Sequence, residues 1–379
     1  MGEPLRVCVV GPGTRFLSGI TYYTYSLIEA LGGAGHRCSA LFIRRLVPER
    51  LYPGRARVGA QLTELRLPPD VRGVDGIDWY WGWSLVRAIT FLAKERPQVL
   101  VLQWWTGAVL HTYLVLAVVA RLLGAGVVVE FHETQDVGEA RLPFARRYMD
   151  ILGRSLLRLC AAQLAHSDFD RGLLKERYGL QRSVALVPHA GYEYLPTRPA
   201  LRAAPPEAIN LLYFGVIRPF KGVEDLIAAW DLLGADRSRF WLTIVGETWE
   251  GWELPSRLIA SAPDGDRITF VNRYVTDAEA AGYFAGADVV VLPYHRSSSS
   301  GPLQIAMGRG LPAVVTRVGG LVEATARYSG VVLVEPGSPA ALAEGINRAA
   351  ALVGQRFTGV STWANTVRCY SELFDGMSR

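Results

Sequence analysis

Short, wholly apolar runs alternate along this chain with longer stretches of helical periodicity. Arg6-Val7-Cys8-Val9-Val10 reads as a strand that ends at Gly11-Pro12-Gly13. A helix pattern follows from Gly19 to Leu31, closed by Gly32-Gly33. Strands over 38–43 and 99–102, a helix over 108–123 and a strand over 127–131 continue the rhythm. It restarts with a strand over 209–214, a helix over 223–233, strands over 240–245 and 268–271, a helix over 277–285 and a strand over 289–292. A helix over 303–308, strands over 313–316 and 330–334, and helices over 339–353 and 361–377 complete it. Strand and helix in alternation predict doubly wound parallel sheets. Val289-Val290-Val291-Leu292 has no polar face, as expected of a strand covered on both sides.

The stretch 192–208 carries Pro196, Pro199, Pro205 and Pro206 and reads as a linker. The expected organisation is α/β, with two Rossmann-like doubly wound parallel-sheet domains, 1–195 and 209–355, facing a central cleft. Residues 356–379 are expected to form a C-terminal helix packing back toward the first domain. Such sheets bind ligands at the carboxyl ends of their strands.

Composition narrows the class. Half of the 379 residues are hydrophobic and 20% are charged, which marks a globular chain. A net charge of +5 suits an anionic ligand or an acidic membrane surface without requiring either. No zinc-finger spacing, RNA-recognition sequence or long basic run supports nucleic acid. Cys8, Cys38, Cys160 and Cys369 are scattered and form no CxxC pair, so free thiols in a reducing compartment are expected. Neither a secretion signal nor a myristoylation pattern is read at the N-terminus, and the expected location is cytoplasmic.

Four segments carry candidate chemistry. Only Lys94, Lys175 and Lys221 occur, and Lys221 sits three residues after Arg218 in Gly215-Val216-Ile217-Arg218-Pro219-Phe220-Lys221-Gly222. A fork-shaped and a mobile cation on a strand-to-helix turn form either a diphosphate clamp or simply a basic turn. Next, Ser297-Ser298-Ser299-Ser300-Gly301-Pro302 joins a buried strand to a helix whose first turn tolerates Pro302. The amides near Ser299, Ser300 and Gly301 would meet an anion at the positive helix end. Third, Gly319-Gly320 is followed by Glu323, which either favours a helix start, meets a ligand hydroxyl or supports the turn. Last, Phe16 occupies the place of the third glycine in the dinucleotide fingerprint, so NAD is not expected. Gly19 stands either in a plain turn or near a phosphate.

Taken in order, these segments carry a resemblance. They are the early glycine loop, Phe131-His132, Val187-Pro188-His189-Ala190-Gly191, Gly215 to Gly222, Val245-Gly246-Glu247, Ala287 to Pro293, and Gly310-Leu311-Pro312 with Gly319-Gly320 and Glu323. The chain resembles a retaining glycosyltransferase of the GT-B fold, family 4 (glycosyl transferases group 1). The resemblance implies that Arg218 and Lys221 bind the donor diphosphate and that His132 reaches the donor sugar. It places Gly19 in the loop facing the phosphates and Asn272, Arg273 and Tyr274 at the nucleobase. The donor contacts expected are therefore Gly19, Arg218, Lys221, Arg273, Tyr274, Ser299, Ser300, Gly301 and Glu323, with His132, Arg218 and Lys221 serving catalysis.

One departure stands out. The family commonly has two glutamates with seven residues between them, and these positions fall on Ser297 and Ile305. The implied reaction moves a sugar, with retention, from a nucleotide-diphosphate sugar to an acceptor hydroxyl, without a cofactor or metal. No Asp-x-Asp pair of the metal-binding type is read. Alternatives on the same architecture are a sugar-nucleotide-binding protein without transfer and a sugar-nucleotide epimerase. The acceptor is open: a glycan, a lipid-linked sugar or a small metabolite. Arg44, Arg45, Arg50, Arg55 and Arg57 cluster. Arg146, Arg147, Arg154 and Arg158 share a helical stretch with Phe144, Leu152, Leu156 and Leu157. These are either solvated faces or a weak peripheral contact with an anionic inner membrane face.

Overall fold

The computed structural model describes residues 3–16, 18–46, 62–134, 143–180, 184–192, 195–249 and 251–377. They fall into two compact units, one of residues 1–190 with 361–379 and one of residues 191–360.

The first unit holds β1 (Arg6–Pro12), β2 (Arg37–Arg45), β3 (Arg72–Asp78), β4 (Val99–Trp104), β5 (Gly126–Phe131), β6 (Ala162–Ala165) and β7 (Ala185–Leu186). They form one parallel sheet in the order β3-β2-β1-β4-β5-β6-β7. The order reverses between β1 and β4, and at that switch point the crossovers leave the carboxyl ends uncovered. Every residue of β4 is buried, which is why it reads as an unbroken apolar run apart from Gln103.

The second unit holds β8 (Ile209–Phe214), β9 (Phe240–Val245), β10 (Ile268–Val271), β11 (Val289–Leu292), β12 (Ala313–Thr316) and β13 (Val331–Val334). Its sheet is parallel too, ordered β10-β9-β8-β11-β12-β13, with the switch point between β8 and β11. Burying each aliphatic side chain of such central strands contributes about 1.5–3 kcal/mol.

Several elements lie outside the expected ones. β3, β6 and β7 were not read as strands, and the helices Gly82–Glu95, Pro143–Leu159 and Asp168–Tyr178 fill the remaining crossovers. β3 is Arg-Gly-Val-Asp-Gly-Ile-Asp, an edge strand with four exposed or half-buried residues, so it lacks the apolar run of an inner strand. The helix expected from 303 starts at Gly301, because the Ser300 hydroxyl accepts from Leu303 N and caps it. The helix expected over 339–353 ends at Ala350.

The proline-rich stretch is not a free linker along its whole length. Leu201 N donates to Gly282 O at 2.9 Å, and the Arg202 guanidinium bonds Gly286 O and Asp288. Gly282 and Gly286 leave the room for this: an added Cβ on either would lie 2.6–2.7 Å from Leu201.

Candidate functional site

In the second unit, β8 and β9 run on in parallel past the sheet. Ile217 N donates to Glu247 O and Trp249 N to Ile217 O, each at 2.9 Å. This extension needs glycine where the two chains touch. Gly246 has φ 154°, and a Cβ there would lie 1.9 Å from Gly215 O. The turn that follows, Pro219–Lys221, is closed by Gly222 at φ 67°, where a Cβ would lie 1.9 Å from Pro293 O. The backbone of the turn is thereby pressed against the end of β11.

Three cations gather around Phe220 of that turn. Its ring centroid is 6.0 Å from the Arg218 guanidinium, 5.6 Å from Lys221 Nζ and 4.4 Å from the Arg296 guanidinium. Arg218 also stacks 3.9 Å above Trp249, and Lys221 Nζ stands 3.6 Å over the Tyr294 ring. Burial pushes the Tyr294 phenol up to about 12, so it stays neutral beneath the ammonium. His295 N donates to Phe220 O at 2.9 Å and its ring meets Asp225 at 2.7 Å, fastening the segment after β11 to the turn after β8. Arg218 and Lys221 are thus together, at the switch point. Arg296, Trp249 and Tyr294 were not among the expected site residues. Arg296 could have been found from its place four residues past a buried strand, whereas Trp249 carries no local signal.

The serine segment lies beside them. Ser300 caps its helix, its Oγ is 3.4 Å from Tyr294 OH, and Ser297 Oγ donates to Ser299 O at 2.7 Å. Gly320 N donates to Ser297 O at 3.2 Å, which brings the Gly319-Gly320 turn to the same corner. Glu323 is exposed in the first turn of Leu321–Thr325. Ile305 is buried and apolar, and Ser297 is bonded within its own loop, so neither family glutamate position offers a carboxylate. The neighbouring Gln304 is buried, and its Oε1 accepts no hydrogen bond.

Arg273 and Tyr274 follow β10, at the sheet edge. Arg273 pairs with Glu279, which also closes a capping box on Thr276 N at 2.9 Å. Arg273 foremost holds the Glu279 carboxyl down to about 2. The Arg273 side chain is thus already held by its own unit. Gly19, in the first unit, is the exposed first residue of the helix Gly19–Gly33.

His132 follows β5 in the first unit and is buried. It belongs to a polar group at the carboxyl ends of β4, β5 and β6 that the sequence reading did not assemble. Glu130, fully buried, accepts from Tyr23 OH at 2.6 Å, Gln103 Nε2 at 2.7 Å and Tyr370 OH at 2.6 Å. His132 Nε2 bonds Gln103 Oε1, and His132 Nδ1 lies 3.1 Å from His166 Nε2. His166 Nδ1 bonds Val187 O at 3.0 Å, and the His189 ring is 5.0 Å from that of His166. Burial, with His166 and His189 nearby, holds His132 well below its ordinary value, and burial takes His189 down to about 3.

Ligand atoms of Glu130, His132 and His166 lie within 4.8 Å of one another. Glu130 already takes three donors, and His132 Nε2 and His166 Nδ1 are committed, so these residues do not fit a metal ion. Two Asp-x-Asp triplets occur in the sequence, at 168–170 and 264–266. Asp168 pairs with Arg171, while Asp170 accepts from Ser167 and Thr134 hydroxyls. Asp264 pairs with Arg237, on a turn that also contains Asp266. These aspartates serve a helix start and a turn.

Of the basic cluster, Arg44 pairs with Asp78 and Arg45 donates to Tyr80 OH at 2.9 Å, whereas Arg50, Arg55 and Arg57 lie outside the described residues. On Pro143–Leu159, Phe144, Arg146, Arg147, Ile151, Arg154 and Arg158 are exposed, while Leu156 and Leu157 are buried. Among the described residues no helix is long and apolar enough to cross a membrane.

Comparison with known proteins adds the following. Residues 208–351 match the family described as glycosyl transferases group 1, and residues 18–190 match the glycosyl transferase 4-like domain. A D-inositol 3-phosphate glycosyltransferase of Arthrobacter sp. (strain FB24) is 32% identical over 197 residues, 47% of this chain and 47% of that protein. The chain spans about half the length of the curated relatives it matches most strongly. The starch synthase IV catalytic domain of Arabidopsis thaliana, solved with ADP and acarbose, superposes with a TM-score of 0.71 at 13% identity, covering all of both chains. An Anabaena protein, HepE, solved with UDP-glucose, gives 0.62 at 13% identity, covering 99% of each. These likenesses show the GT-B fold.

Proposed function

Because the chain belongs to the glycosyl transferases of group 1, we propose that it transfers a hexosyl group from a nucleotide-diphosphate sugar to an acceptor hydroxyl. The observation that carries this is the gathering of Arg218, Lys221 and Arg296 around Phe220, beside the Ser300-capped helix start. The leaving diphosphate gains charge as the glycosidic bond breaks, and preorganised cations and amides stabilise that charge most in the transition state. Three side-chain cations would supply the charge that a divalent ion brings elsewhere, which supports a metal-independent reaction. Retention is proposed on the family resemblance. The sugar-facing role that the resemblance implies for His132 is kept in this reading, with the ring held by Gln103 and His166. Gly19, Arg273, Tyr274, Ser299, Gly301 and Glu323 keep their proposed donor contacts. The bound nucleotides of the starch synthase and of HepE make ADP- and UDP-sugars the first donors to try.

Thermal-shift measurements with UDP-, GDP- and ADP-sugars test the reading. At least one should raise the melting temperature, and the same sugar nucleotide should be consumed when acceptors are supplied. No stabilisation by any of them would count against it. A second reading, binding without transfer, is favoured by the absent carboxylates at Ser297 and Ile305, and predicts stabilisation with no turnover. An epimerase would draw on the Glu130–His132–His166–His189 group and would change a donor sugar with no acceptor present.

For the acceptor side we propose weak peripheral contact with an anionic membrane face, from a cytoplasmic location. Exposed Tyr80 and Trp83 stand near the exposed Phe144 and Ile151 helix, and His111 bridges them by bonds to Trp79 O and Tyr148 OH. Arg146 and Arg147 edge that apolar face. Vesicles containing anionic lipid should float the protein at low salt and release it at high salt. Equal recovery with neutral and anionic vesicles would rule this out.

A further inference from the structure

Hydrogen-bond accounting in the first unit leaves one proton unassigned. Gln103 Nε2 donates to Glu130 Oε2, so the other end of that amide, Oε1, is an acceptor. Its partner, His132 Nε2, therefore carries a hydrogen. His166 Nδ1 faces the Val187 carbonyl, which can only accept, so this nitrogen carries a hydrogen as well. A neutral imidazole has a single N–H. If both rings were neutral, His132 Nδ1 and His166 Nε2 would present bare lone pairs to each other at 3.1 Å. Two acceptors do not hold one another at that distance, so one more proton lies between them.

We propose that His166 carries this proton, as an imidazolium that donates from Nε2 to His132 Nδ1, and that it is thereby a positioning residue for His132. The Glu130 carboxylate stands 3.8 Å from both rings and balances the charge, so the buried group as a whole is neutral. His132, held low by burial and its two histidine neighbours, is the acceptor of the pair and not the holder. Among the described residues, groups from several elements face His166. Glu130 and His132 come from β5 and its end, Tyr23 from Gly19–Gly33, and His189 from the segment after β7. Tyr370 comes from the last helix and donates to Glu130, and Asp170, on the following helix, is taken by Ser167 and Thr134. Among these, Glu130 is the carboxylate within reach. With both nitrogens bonded, the His132 ring has one orientation and one tautomer, which a sugar-facing side chain needs.

The assignment stands on the geometry of this unit, and only its consequence for transfer rests on the glycosyltransferase reading. Nitrogen-15 NMR of histidine-labelled protein at pH 7 should show a ring with both nitrogens protonated that is absent in His166→Gln. Gln can still donate to His132 but cannot carry the proton, so in that variant His132 should keep its Nε2–H form. If His166→Gln does not fold, coupling across the bond from its Nδ1–H to the Val187 carbonyl identifies the ring in the wild type. Zinc-free, chelated protein is used throughout. A spectrum in which the His166 ring is neutral at pH 7 overturns the proposal. Neither reading uses a donor or acceptor, so failure of the transferase assignment would leave both intact.

Discussion

Replacing Lys221 by Ala weakens binding of a nucleotide diphosphate by about 1.5–3 kcal/mol, the worth of a hydrogen bond to a charged group. That is a loss of roughly ten- to 150-fold in Kd. The ammonium is held 3.6 Å over Tyr294, on a turn fixed by Gly222 against Pro293, so little side-chain order remains to be lost on binding. Lys221→Arg should recover only part of the loss, because a planar fork does not fit the ring seat of a compact ammonium. Lys175→Ala, on an exposed helix face, is the control and should leave Kd unchanged. Calorimetry with UDP, GDP and ADP provides the reading. An unchanged Kd in Lys221→Ala for the nucleotide that binds best would remove the phosphate clamp from the proposed mechanism.

Glu130→Leu should destabilise the first unit by about 3–5 kcal/mol, the usual cost of removing one partner from a buried charged network. The substitution strands the hydroxyls of Tyr23 and Tyr370 and the Gln103 amide, all in a dry interior. It also removes the counter-charge 3.8 Å from His132 and His166. Glu130→Gln keeps the shape and one acceptor and should cost less. Tyr370 lies on Trp363–Met377, so hydrogen exchange should rise in that helix together with β5. Urea unfolding of both variants measures the difference. A Leu variant as stable as the parent would mean that the network contributes nothing net.

Much of the fold is legible along the chain. Inner strands such as β4, β8, β11 and β12 are covered on both faces, and a parallel strand in that position must be an unbroken apolar run. Edge strands escape the same reading. β3 alternates glycine and charge because half of it meets solvent, and β6 and β7 are four and two residues long. The Arg218–Lys221 turn is legible for a related reason. Its two cations are three residues apart, so one stretch of sequence holds the pair and the glycine that shapes it.

What lay beyond the sequence is the set of contacts made by residues far apart in it. Trp249 lies 31 positions from Arg218, and only the parallel pairing of Ile217 with Thr248 sets its ring under the guanidinium. Glu130 gathers Tyr23, Gln103 and Tyr370 across as many as 240 positions. The protonation of His166 depends on which atoms of Gln103, His132 and Val187 it faces. Apolar periodicity, glycine placement and local charge are properties of neighbours along the chain, and they determined the inner strands, the two parallel sheets and the Arg218–Lys221 turn. Stacking, proton sharing and the completion of a buried carboxylate depend on distances that only sheet order and register create, and the tertiary structure alone decided them.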